Sequence, residues 1–445
     1  MVWHLGQAGA GNKQAYQAIV RYACCGAFKG AVDTAVTRCL YFLPQHTSML
    51  PFRLICWSLF GTCLVVPASE QAGTPGTETL IIKRGGIYTG TYRSNNPNKP
   101  CIRIDTDEPV VLRRCRLEGA GLLIDARNGG ARLTVQNCVG VALAPTEENQ
   151  APGRFLEVND GNSVTVANCE LRQTGGIVVY KWQGNGSANQ TLRILRNRTF
   201  NITGRYRNGG GSKTHFVLLN QVRAVPNVEI AWNQVINEPD RSMVEDNINI
   251  YNSSGTAKSP IRIHNNYIQG AYPVPATADS FTGSGITTDG DGSTPLTCTA
   301  YVEAYDNQVV STCNAAMNIA AGHHIRYSNN RMVSSSRLRD GRELKATYAA
   351  TSVFNAYDKP RSVFFANKIE KNVIGFAKNG YKVPMANRHD LSTGHCSTCV
   401  ANIHLPNPIT LQSEAHEWRR WQQKITKSRI KVGPEQTQLM ASKTP

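Results

Sequence analysis

"RIHNNYIQG", residues 262–270, belongs to a phrase that this chain repeats. The phrase has the pattern apolar–x–apolar–x–x–Asn–x–apolar, where x is any residue. It returns as "EIAWNQVIN" at 229–237 and as "HIRYSNNRMV" at 324–333. Because its apolar residues alternate with period two, each copy predicts short β-strands and not a helical repeat.

Nine copies can be aligned, and the steps between them run from 23 to 41 residues. They are Val110/Leu112/Cys115/Leu117, Leu133/Val135/Cys138, Val164/Val166/Cys169/Leu171, Leu192/Ile194/Asn197/Thr199, Val228/Ile230/Asn233/Val235, Ile261/Ile263/Asn266/Ile268, Val302/Ala304/Asn307/Val309, Ile325/Tyr327/Asn330/Met332 and Phe364/Asn367/Ile369. Further alternating stretches lie between the copies: "HFVLLN" at 215–220, "DNINIYN" at 246–252, "SGITTDG" at 284–290 and "AAMNIAAG" at 315–322. Two or three short strands per irregular coil predict an all-β fold, a right-handed parallel β-helix in which insertions leave at the corners.

The asparagine of each copy is expected at a corner of its coil, in or near the left-handed conformation that asparagine tolerates. Stacked at a strand spacing of about 4.8 Å, its amide can bond the equivalent asparagine of the next coil. The first three copies carry Cys115, Cys138 and Cys169 in this position. We interpret them as a file of small buried thiols, with disulfides between neighbours as the alternative.

The strand-plus-asparagine rungs, over roughly residues 78–380, resemble the pectate-lyase-like right-handed β-helix superfold. That superfold contains polysaccharide lyases, polygalacturonase-type hydrolases, epimerases and phage tailspikes. The resemblance therefore implies a fold and a polysaccharide partner. It does not specify an activity, because sites are grafted onto folds.

The two ends of the chain differ from the middle. Residues 49–68 have the features of a secretory signal peptide: Arg53, an apolar run and the cleavage motif Val66-Pro67-Ala68. We accordingly expect residues 1–48 to be a non-native or unstructured extension with Met49 as the start, and residues 69–385 to be the β-helix. Residues 386–445 are expected to form a C-terminal loop and a capping helix. The protein is expected to be secreted or periplasmic and to lack a membrane span, since the apolar run is short for a bilayer.

The chain carries a formal charge of +17 and thirteen cysteines, eight of which follow residue 68. An anionic polymer is the expected partner, and a basic surface without a specific partner is the alternative. No compact basic and aromatic motif predicts nucleic-acid binding. In "GHCSTC", residues 394–399, a local disulfide or a plain loop is favoured over a zinc site, because no second C-x-x-C supplies further ligands. A homo-oligomer is compatible with the fold.

The interior of a β-helix is filled, so a ligand is expected to bind outside, across one sheet. The outward positions of the second strand in successive coils collect acidic, amide, aromatic and imidazole groups. We predict Asp246, Asp289 and His323 as catalytic residues. The predicted substrate-binding residues are Lys181, Trp182, His215, Asn249, Tyr251, Asp291, His324, Arg326 and Tyr357.

Several of these residues have a second interpretation. Asp289 and Asp291 could be turn residues or, with oxygen ligands, a Ca²⁺ site. Asp246 could cap a strand and His323 could be structural, while Tyr251 and Trp182 could be exposed aromatics. The prediction rests on their joint placement.

Two mechanisms are compatible with this set. In glycoside hydrolysis, Asp246 and Asp289 would supply the two carboxyl groups, one or two strand spacings apart. The order of these acids and Gly322-His323 is similar to polygalacturonases, but the tight Asp-Asp pair and closing Arg-x-Lys of that family are missing. In β-elimination, His323, His324 or Lys181 would be the base, with Arg326 or Ca²⁺ offsetting the carboxylate. We expect an exported enzyme that cleaves an acidic polysaccharide by one of these routes; a non-catalytic polysaccharide-binding or surface-assembly protein is the alternative.

Overall fold

The computed structural model of this protein describes residues 70–76, 78–378, 380, 388–392 and 396–435. All of them belong to the compact unit Val66–Pro445. The predicted extension 1–48 and the predicted signal peptide 49–68 lie outside the described residues. Among the described residues, no helix combines the length and the apolarity needed to cross a bilayer.

The described chain forms short strands and one helix. The strands are β1 (Glu70–Gly76), β2 (Leu80–Ile82), β3 (Gly86–Ser94), β4 (Ile102–Ile104), β5 (Val110–Arg113), β6 (Arg116–Gly119), β7 (Ile124–Ala126), β8 (Ala131–Gln136), β9 (Val139–Ala142), β10 (Leu156–Asn159), β11 (Gly161–Ala167), β12 (Glu170–Arg172), β13 (Ile177–Tyr180), β14 (Thr191–Leu195), β15 (Arg198–Phe200), β16 (Val217–Asn220), β17 (Val228–Ala231), β18 (Gln234–Ile236), β19 (Asp246–Tyr251), β20 (Ile261–His264), β21 (Tyr267–Ala271), β22 (Ser284–Asp289), β23 (Ala300–Tyr305), β24 (Gln308–Thr312), β25 (Asn314–Ile319), β26 (His323–Ser328), β27 (Arg331–Ser334), β28 (Thr347–Val353), β29 (Lys368–Glu370), β30 (Val373–Phe376), β31 (Cys399–Val400) and β32 (Ile403–His404). The helix is α1 (Leu411–Lys427).

The strands stack into three faces, and every pairing between neighbouring strands is parallel. Face one consists of β5, β8, β11, β14, β17, β20, β23, β26, β29 and β31, and face two of β6, β9, β12, β15, β18, β21, β24, β27, β30 and β32. Face three consists of β2, β4, β7, β10, β13, β16, β19, β22, β25 and β28. Parallel connections of this kind are right-handed. The protein is therefore a right-handed parallel β-helix, which confirms the predicted fold class.

The core is built from columns of equivalent residues, because each coil repeats the inward positions of the coil before it. One column on face one is buried throughout and runs Val166, Ile194, Ile230, Ile263, Ala304, Tyr327 and Ile369. Each copy of the repeated phrase therefore packs against the equivalent residues of the copies before and after it. Each buried aliphatic side chain of this kind contributes about 1.5–3 kcal/mol.

The predicted asparagine ladder is present at the corner between faces one and two. It runs through Asn197, Asn233, Asn266, Asn307, Asn330, Asn372 and Asn402. Each Nδ2 donates to the Oδ1 of the next member at 2.9–3.0 Å. Each Oδ1 also accepts from the backbone N–H of the preceding member. The amides therefore satisfy a buried corner that would otherwise leave backbone donors unpaired.

Two details of the ladder differ from the prediction. The left-handed residue is the one before each ladder asparagine, for example Trp232 at φ 60° and Asn265 at φ 53°. The ninth copy is also misplaced. Ile369 pairs with Tyr327, so Asn372 joins the ladder, whereas Asn367 bonds the carbonyl of Gly322 at a different corner.

The file of buried thiols is confirmed. Cys115, Cys138 and Cys169 are buried and free, and they continue the ladder toward the N-terminus. The backbone N–H of Cys115 contacts Cys138 Sγ at 3.3 Å, and that of Cys169 donates to Asn197 Oδ1 at 2.9 Å. Near the other end of the stack, Cys396 and Cys399 form a disulfide, one of the two arrangements favoured for this motif.

The C-terminal helix lies along the flank of the β-helix and does not cover its end. Thr410 and Ser413 cap its first turn reciprocally. Its contacts run toward earlier coils: Glu414 bonds Ser335 and Glu417 pairs with Arg331, both in the coil of β27, whereas Trp421 donates to Gln234 of β18, three coils earlier. The chain after it continues to the Gly433 N–H, which donates to the carbonyl of Arg196. We call Leu411–Glu435 the C-terminal strap.

The expected capping role is therefore wrong. The apolar side of the helix packs on the outer surface of face two, because that surface is also apolar. The stack itself extends past residue 385, where the sequence analysis ended it, to β31 and β32, which pair with β29 and β30.

Candidate functional site

The outer surface of face three changes character along the stack. In one row of equivalent positions, Val178 and Leu218 are followed by Asn249, Thr287, Asn318 and Ser352. A second row runs Tyr180, Asn220, Tyr251 and Asp289. Outward positions need no apolar side chains, and from β19 onward they are polar. We call the set Asp246, Asn249, Tyr251, Thr287, Asp289, Asn318 and Ser352 the polar strip.

Asp246 is the buried acid of the polar strip, only 7% exposed. Its Oδ1 accepts from Thr287 Oγ1 at 2.9 Å, and its Oδ2 accepts from Asn249 Nδ2 at 2.8 Å. Burial raises the pKa of Asp246 to about 7, and the negative charges of Glu245 and Asp289 act in the same direction. At neutral pH the carboxyl therefore holds its proton for a large fraction of the time.

Asn249 contributes an unusual group next to this acid. Among the described residues, its buried Oδ1 has no hydrogen-bond partner, although buried amide oxygens are normally paired. If the amide rotates by 180°, its oxygen accepts the proton of a neutral Asp246. In both orientations one polar group of the Asn249 amide has no partner among the described residues.

Glu245, Lys213 and His215 surround Asp246 on the side of the preceding coil. Lys213 Nζ lies 3.2 Å from Glu245 Oε1, and Thr282 Oγ1 donates to the same oxygen at 3.1 Å. His215 Nδ1 lies 2.9 Å from the backbone carbonyl of Asp246, so this nitrogen carries a proton and donates. Burial lowers the pKa of His215, which makes a neutral imidazole with Nδ1–H the prevailing form.

Asp289 and Asp291 are held by tyrosines. The Tyr357 hydroxyl donates to Asp289 Oδ1 at 2.7 Å, as does the Gly290 N–H at 2.8 Å. Burial and then the charge of Asp289 raise the pKa of Tyr357. Burial and then the charge of Asp291 raise the pKa of Tyr251 to about 12. Both tyrosines thus stay protonated and donate hydrogen bonds beside the polar strip.

Asp246 and Asp289 lie on neighbouring strands but at opposite ends of them. Asp246 pairs with Ser284, and Asp289 pairs with Tyr251. Their backbones are therefore offset by about 16 Å along the strands, and not by the one or two strand spacings expected. The Asp246 carboxyl contacts Thr287, which lies two residues before Asp289 on the same face of β22. This contact directs the Asp246 carboxyl along the strands toward Asp289.

His323, His324 and Arg326 do not lie on the polar strip, so this part of the predicted site is wrong. They belong to β26 of face one, because only the short corner 320–322 separates β25 from β26. His323 is bound on both nitrogens, to His324 Nδ1 at 2.8 Å and to the Pro295 carbonyl at 3.0 Å. Arg326 Nη2 pairs with Glu370 at 2.7 Å.

Trp182 is also misplaced in the prediction. Its side chain is 0% exposed and packs in the core against Gly161. The left-handed turn at Lys181, φ 51°, directs the chain inward after β13, and Lys181 itself is exposed two coils before Asp246. Of the predicted residues, the structure thus brings together Asp246, Asp289, His215, Asn249, Tyr251, Asp291 and Tyr357.

Two residues at the site do not follow from the sequence pattern used above. Lys213 lies in a loop before β16, and only the fold brings it to Glu245. Ser352 shares one row with Asn249, Thr287 and Asn318, and its hydroxyl donates to Asn318 Oδ1. Continuing the register of "DNINIYN" as far as β28 would have identified Ser352.

No group of three or more histidine, cysteine, aspartate and glutamate side chains in the described part of the chain is arranged to hold a metal ion. Asp291 Oδ1 accepts from Asn252 Nδ2 at 2.8 Å, while Asp289 is held by Tyr357. The two carboxylates thus have separate partners.

Comparisons with known proteins find a structural likeness only at low identity. No family model matches the chain, and no curated protein matches it. Among solved structures, the chain is similar to a mannuronic acid specific polysaccharide family 6 lyase from human gut microbiota. The identity is 11%, the TM-score is 0.38, and the alignment covers 82% of this chain and 92% of that chain. A likeness at this level carries no information on activity.

Proposed function

We propose that the protein is an exported enzyme that hydrolyses an acidic polysaccharide bound across the polar strip. The observation that carries this proposal is the buried carboxyl of Asp246 on the face that also holds Asp289; burial raises the pKa of Asp246 to about 7. Glycosidases pair a protonated carboxylic acid with a second carboxylate. The basic composition of the chain supports an anionic polymer as substrate.

In this proposal Asp246 is the general acid. It gives its proton to the glycosidic oxygen as the bond from that oxygen to the anomeric carbon breaks. Asp289 takes a proton from the water whose oxygen forms the new bond to the anomeric carbon. Glycosidases that invert configuration hold their two carboxyl groups about 6.5–9.5 Å apart, with this water between them, and inversion is the outcome that this assignment of roles implies.

The remaining groups of the polar strip would position the sugar. Tyr251 and Tyr357 offer flat ring surfaces and hydroxyl oxygens that can accept hydrogen bonds, and Asn318 and Ser352 offer hydrogen bonds further along the same face. Tyr357 also fixes the orientation of Asp289.

β-Elimination is the second candidate, and His215 favours it. Its imidazole is neutral and lies beside Asp246. A neutral imidazole can remove the proton α to a uronate carboxylate, and Lys213 is a nearby cation that could offset that carboxylate. The Cα–H bond would break, and the leaving oxygen would depart with the proton of Asp246, leaving an unsaturated sugar.

One experiment separates these candidates. The purified protein is incubated with a panel of acidic and neutral polysaccharides, while ultraviolet absorbance of unsaturated ends and the appearance of reducing ends are followed together. We expect reducing ends without absorbance, abolished by Asp246→Asn. A rise in both signals would instead establish elimination. Binding without either signal would contradict the enzyme and leave a polysaccharide-binding module.

A further inference from the structure

A cavity of about 660 Å³ lies at the corner between faces two and three, and none of the groups discussed so far line it. The part of its lining that matters here consists of Leu143, Pro145, Pro152, Arg205, Tyr206 and Arg207. The volume falls within the range of about 300–1,000 Å³ that small-molecule sites occupy.

The cavity arises from unequal corners in successive coils. The corner between β12 and β13 is short, residues 173–176, whereas the corners before and after it, 143–155 and 201–216, are long. The two long corners meet above the short one. Asn149 and Asn208 exchange two hydrogen bonds, at 3.0 and 3.1 Å, and Arg207 Nη1 donates to the Thr146 carbonyl at 2.6 Å. The bridged loops thus enclose space that the short corner leaves unfilled.

The charges in this cavity are unbalanced. Within the described chain, Arg205 and Arg207 form no ion pair. Arg205 Nη1 contacts only the Asp240 carbonyl, at 3.4 Å, and Arg207 Nη1 contacts a carbonyl as well. The Asp240 carboxylate is taken by Arg342, at 2.8 Å, and by the Ala276 N–H. Each guanidinium therefore keeps N–H donors that can bind a carboxylate in a bidentate manner.

The rest of the lining is apolar or aromatic. Leu143, Pro145, Pro152 and Tyr206 supply surfaces without charge. A ligand that combines a carboxylate with a ring whose C–H groups form an apolar face fits both halves of this lining. The pyranose ring of a uronic acid residue has this chemistry.

The cavity lies at the same edge of face three as the polar strip. The corner that carries Arg205, Tyr206 and Arg207 continues to Lys213 and His215, and the corner that carries Arg241 continues to Asp246. We propose that the cavity is a distal subsite that binds a uronate-containing segment of the polymer, with its carboxylates held by Arg205 and Arg207. This inference rests on the proposed function for the identity of the ligand.

The test is calorimetric titration of the full chain with hexagalacturonate, hexamannuronate and neutral cellohexaose. We expect Arg205→Gln/Arg207→Gln to weaken binding of an acidic hexamer at least tenfold and to leave binding of the neutral one unchanged. The matched control is Arg132→Gln/Arg193→Gln, which removes the same charge from exposed positions on face one. It should change the affinity less than twofold.

A second variant guards against misfolding of the first, because Arg207 also ties two loops together. Ala144→Trp fills the exposed mouth of the cavity without changing the charge, and it should weaken acidic-hexamer binding at least tenfold. Unchanged binding in both variants would overturn the inference, as would an equal loss in the face-one control. Tighter Arg205- and Arg207-dependent binding of an oligothymidylate than of either acidic hexamer would also overturn it.

Asp246→Asn separates this inference from the proposed function. If that variant still binds an acidic hexamer through Arg205 and Arg207 while the wild type cleaves no polymer, the subsite stands and the enzyme fails. If the wild type cleaves an acidic polymer but the arginine variant binds normally, the enzyme stands and the subsite fails.

Discussion

Thr287 Oγ1 donates a 2.9 Å hydrogen bond to Asp246 Oδ1, although Thr287 lies opposite Asn249 and three positions along the strand from Asp246. The Asp246 side chain therefore leans along β19, over the row of Asn249 and Thr287. This orientation places the buried carboxyl of Asp246, a residue at the start of β19, in the middle of the polar strip. It also brings that carboxyl toward Asp289.

Replacing the acid should abolish cleavage without unfolding the protein. Asp246→Asn removes the proton that we assign to the leaving group, so kcat should fall about 10²–10⁴-fold. Thermal stability should be retained, because asparagine keeps the hydrogen-bonded shape without a buried ionisable group. Reducing-end assays and circular dichroism melts measure the two effects. The control is Asp358→Asn at an exposed left-handed turn, where asparagine is tolerated; activity of Asp246→Asn above a tenth of wild type would contradict the assignment.

The pH dependence of cleavage should report the same acid. Asp246 acts in its protonated form, so kcat/KM should decrease about tenfold per pH unit above pH 7. The charge of Glu245 is the second cause of the raised pKa, after burial. Glu245→Gln should therefore move this limb of the profile to lower pH. A limb that stays in place in this variant would show that another group controls it.

Glu414 should make stability depend on pH. Burial raises its pKa from 4.5 to about 7, against the opposing effect of its bonds to Ser335. The folded state thus holds the proton more tightly than the unfolded chain. This stabilisation is complete below about pH 4.5, declines as the pH rises to about 7, and is constant above that. Over this range the loss is on the order of 3 kcal/mol.

The measurement is urea unfolding of wild type and Glu414→Gln at pH values from 4 to 8. The difference in unfolding free energy between the two proteins isolates this group from other titrating residues. Glutamine cannot ionise, so the variant should gain relative stability as the pH rises. A difference that does not change with pH would contradict the buried, protonated state of Glu414.

The asparagine ladder and the file of buried thiols should contribute differently to the free energy of unfolding. Asn266→Ala removes the acceptor of two hydrogen bonds from Asn233 and leaves buried groups unpaired. Each unsatisfied group costs about 1–3 kcal/mol, so a loss of about 3 kcal/mol or more is expected. Cys138→Ala removes a small thiol and the weak sulfur acceptor of the Cys115 N–H, and it should cost about 1–2 kcal/mol. Chemical denaturation compares the two, and an equal cost would mean that the amide ladder adds little beyond packing.

Trp421 should anchor the C-terminal strap. It is fully buried beside Tyr267, and its Nε1 donates to Gln234 Oε1 at 3.0 Å. Trp421→Ala should cost about 3–5 kcal/mol in unfolding free energy. His416→Ala, on the exposed side of the helix, should be within about 0.5 kcal/mol of wild type. Activity per folded molecule should not change in either variant, because the polar strip lies on another face.

The sequence predicts the solenoid well because the same physical requirement is repeated in every coil. An inward position such as Ile230 must match Ile194 and Ile263, so period two appears in each copy and does not depend on one local propensity. The ladder is predictable for the same reason. The left-handed residue before each ladder asparagine is harder to predict, because the side chains at that position, such as Trp232 and Asn265, have no chemistry in common.

The site was predicted only where strand register determines it. Asn249, Tyr251 and Asp289 follow from the alternation of two neighbouring strands. The position of His323 does not follow in this way, because the length of a corner decides which face the next residues join. The corner 320–322 is short, so His323 already belongs to β26 of face one and not to a loop beside the site. Trp182 shows the same effect: one left-handed residue reversed its side chain from surface to core.

The C-terminal strap has a consequence for the order in which the molecule can assemble. Coils contact only their neighbours, so each can form soon after it is synthesised. Gly433 and Trp421, however, bond to Arg196 and Gln234, partners that emerge from the ribosome about two hundred residues earlier. Until the last segment arrives, Tyr267 and its neighbours on face two remain uncovered. The nascent chain thus carries an apolar flank that a chaperone could recognise, and a prematurely terminated product would keep that flank exposed.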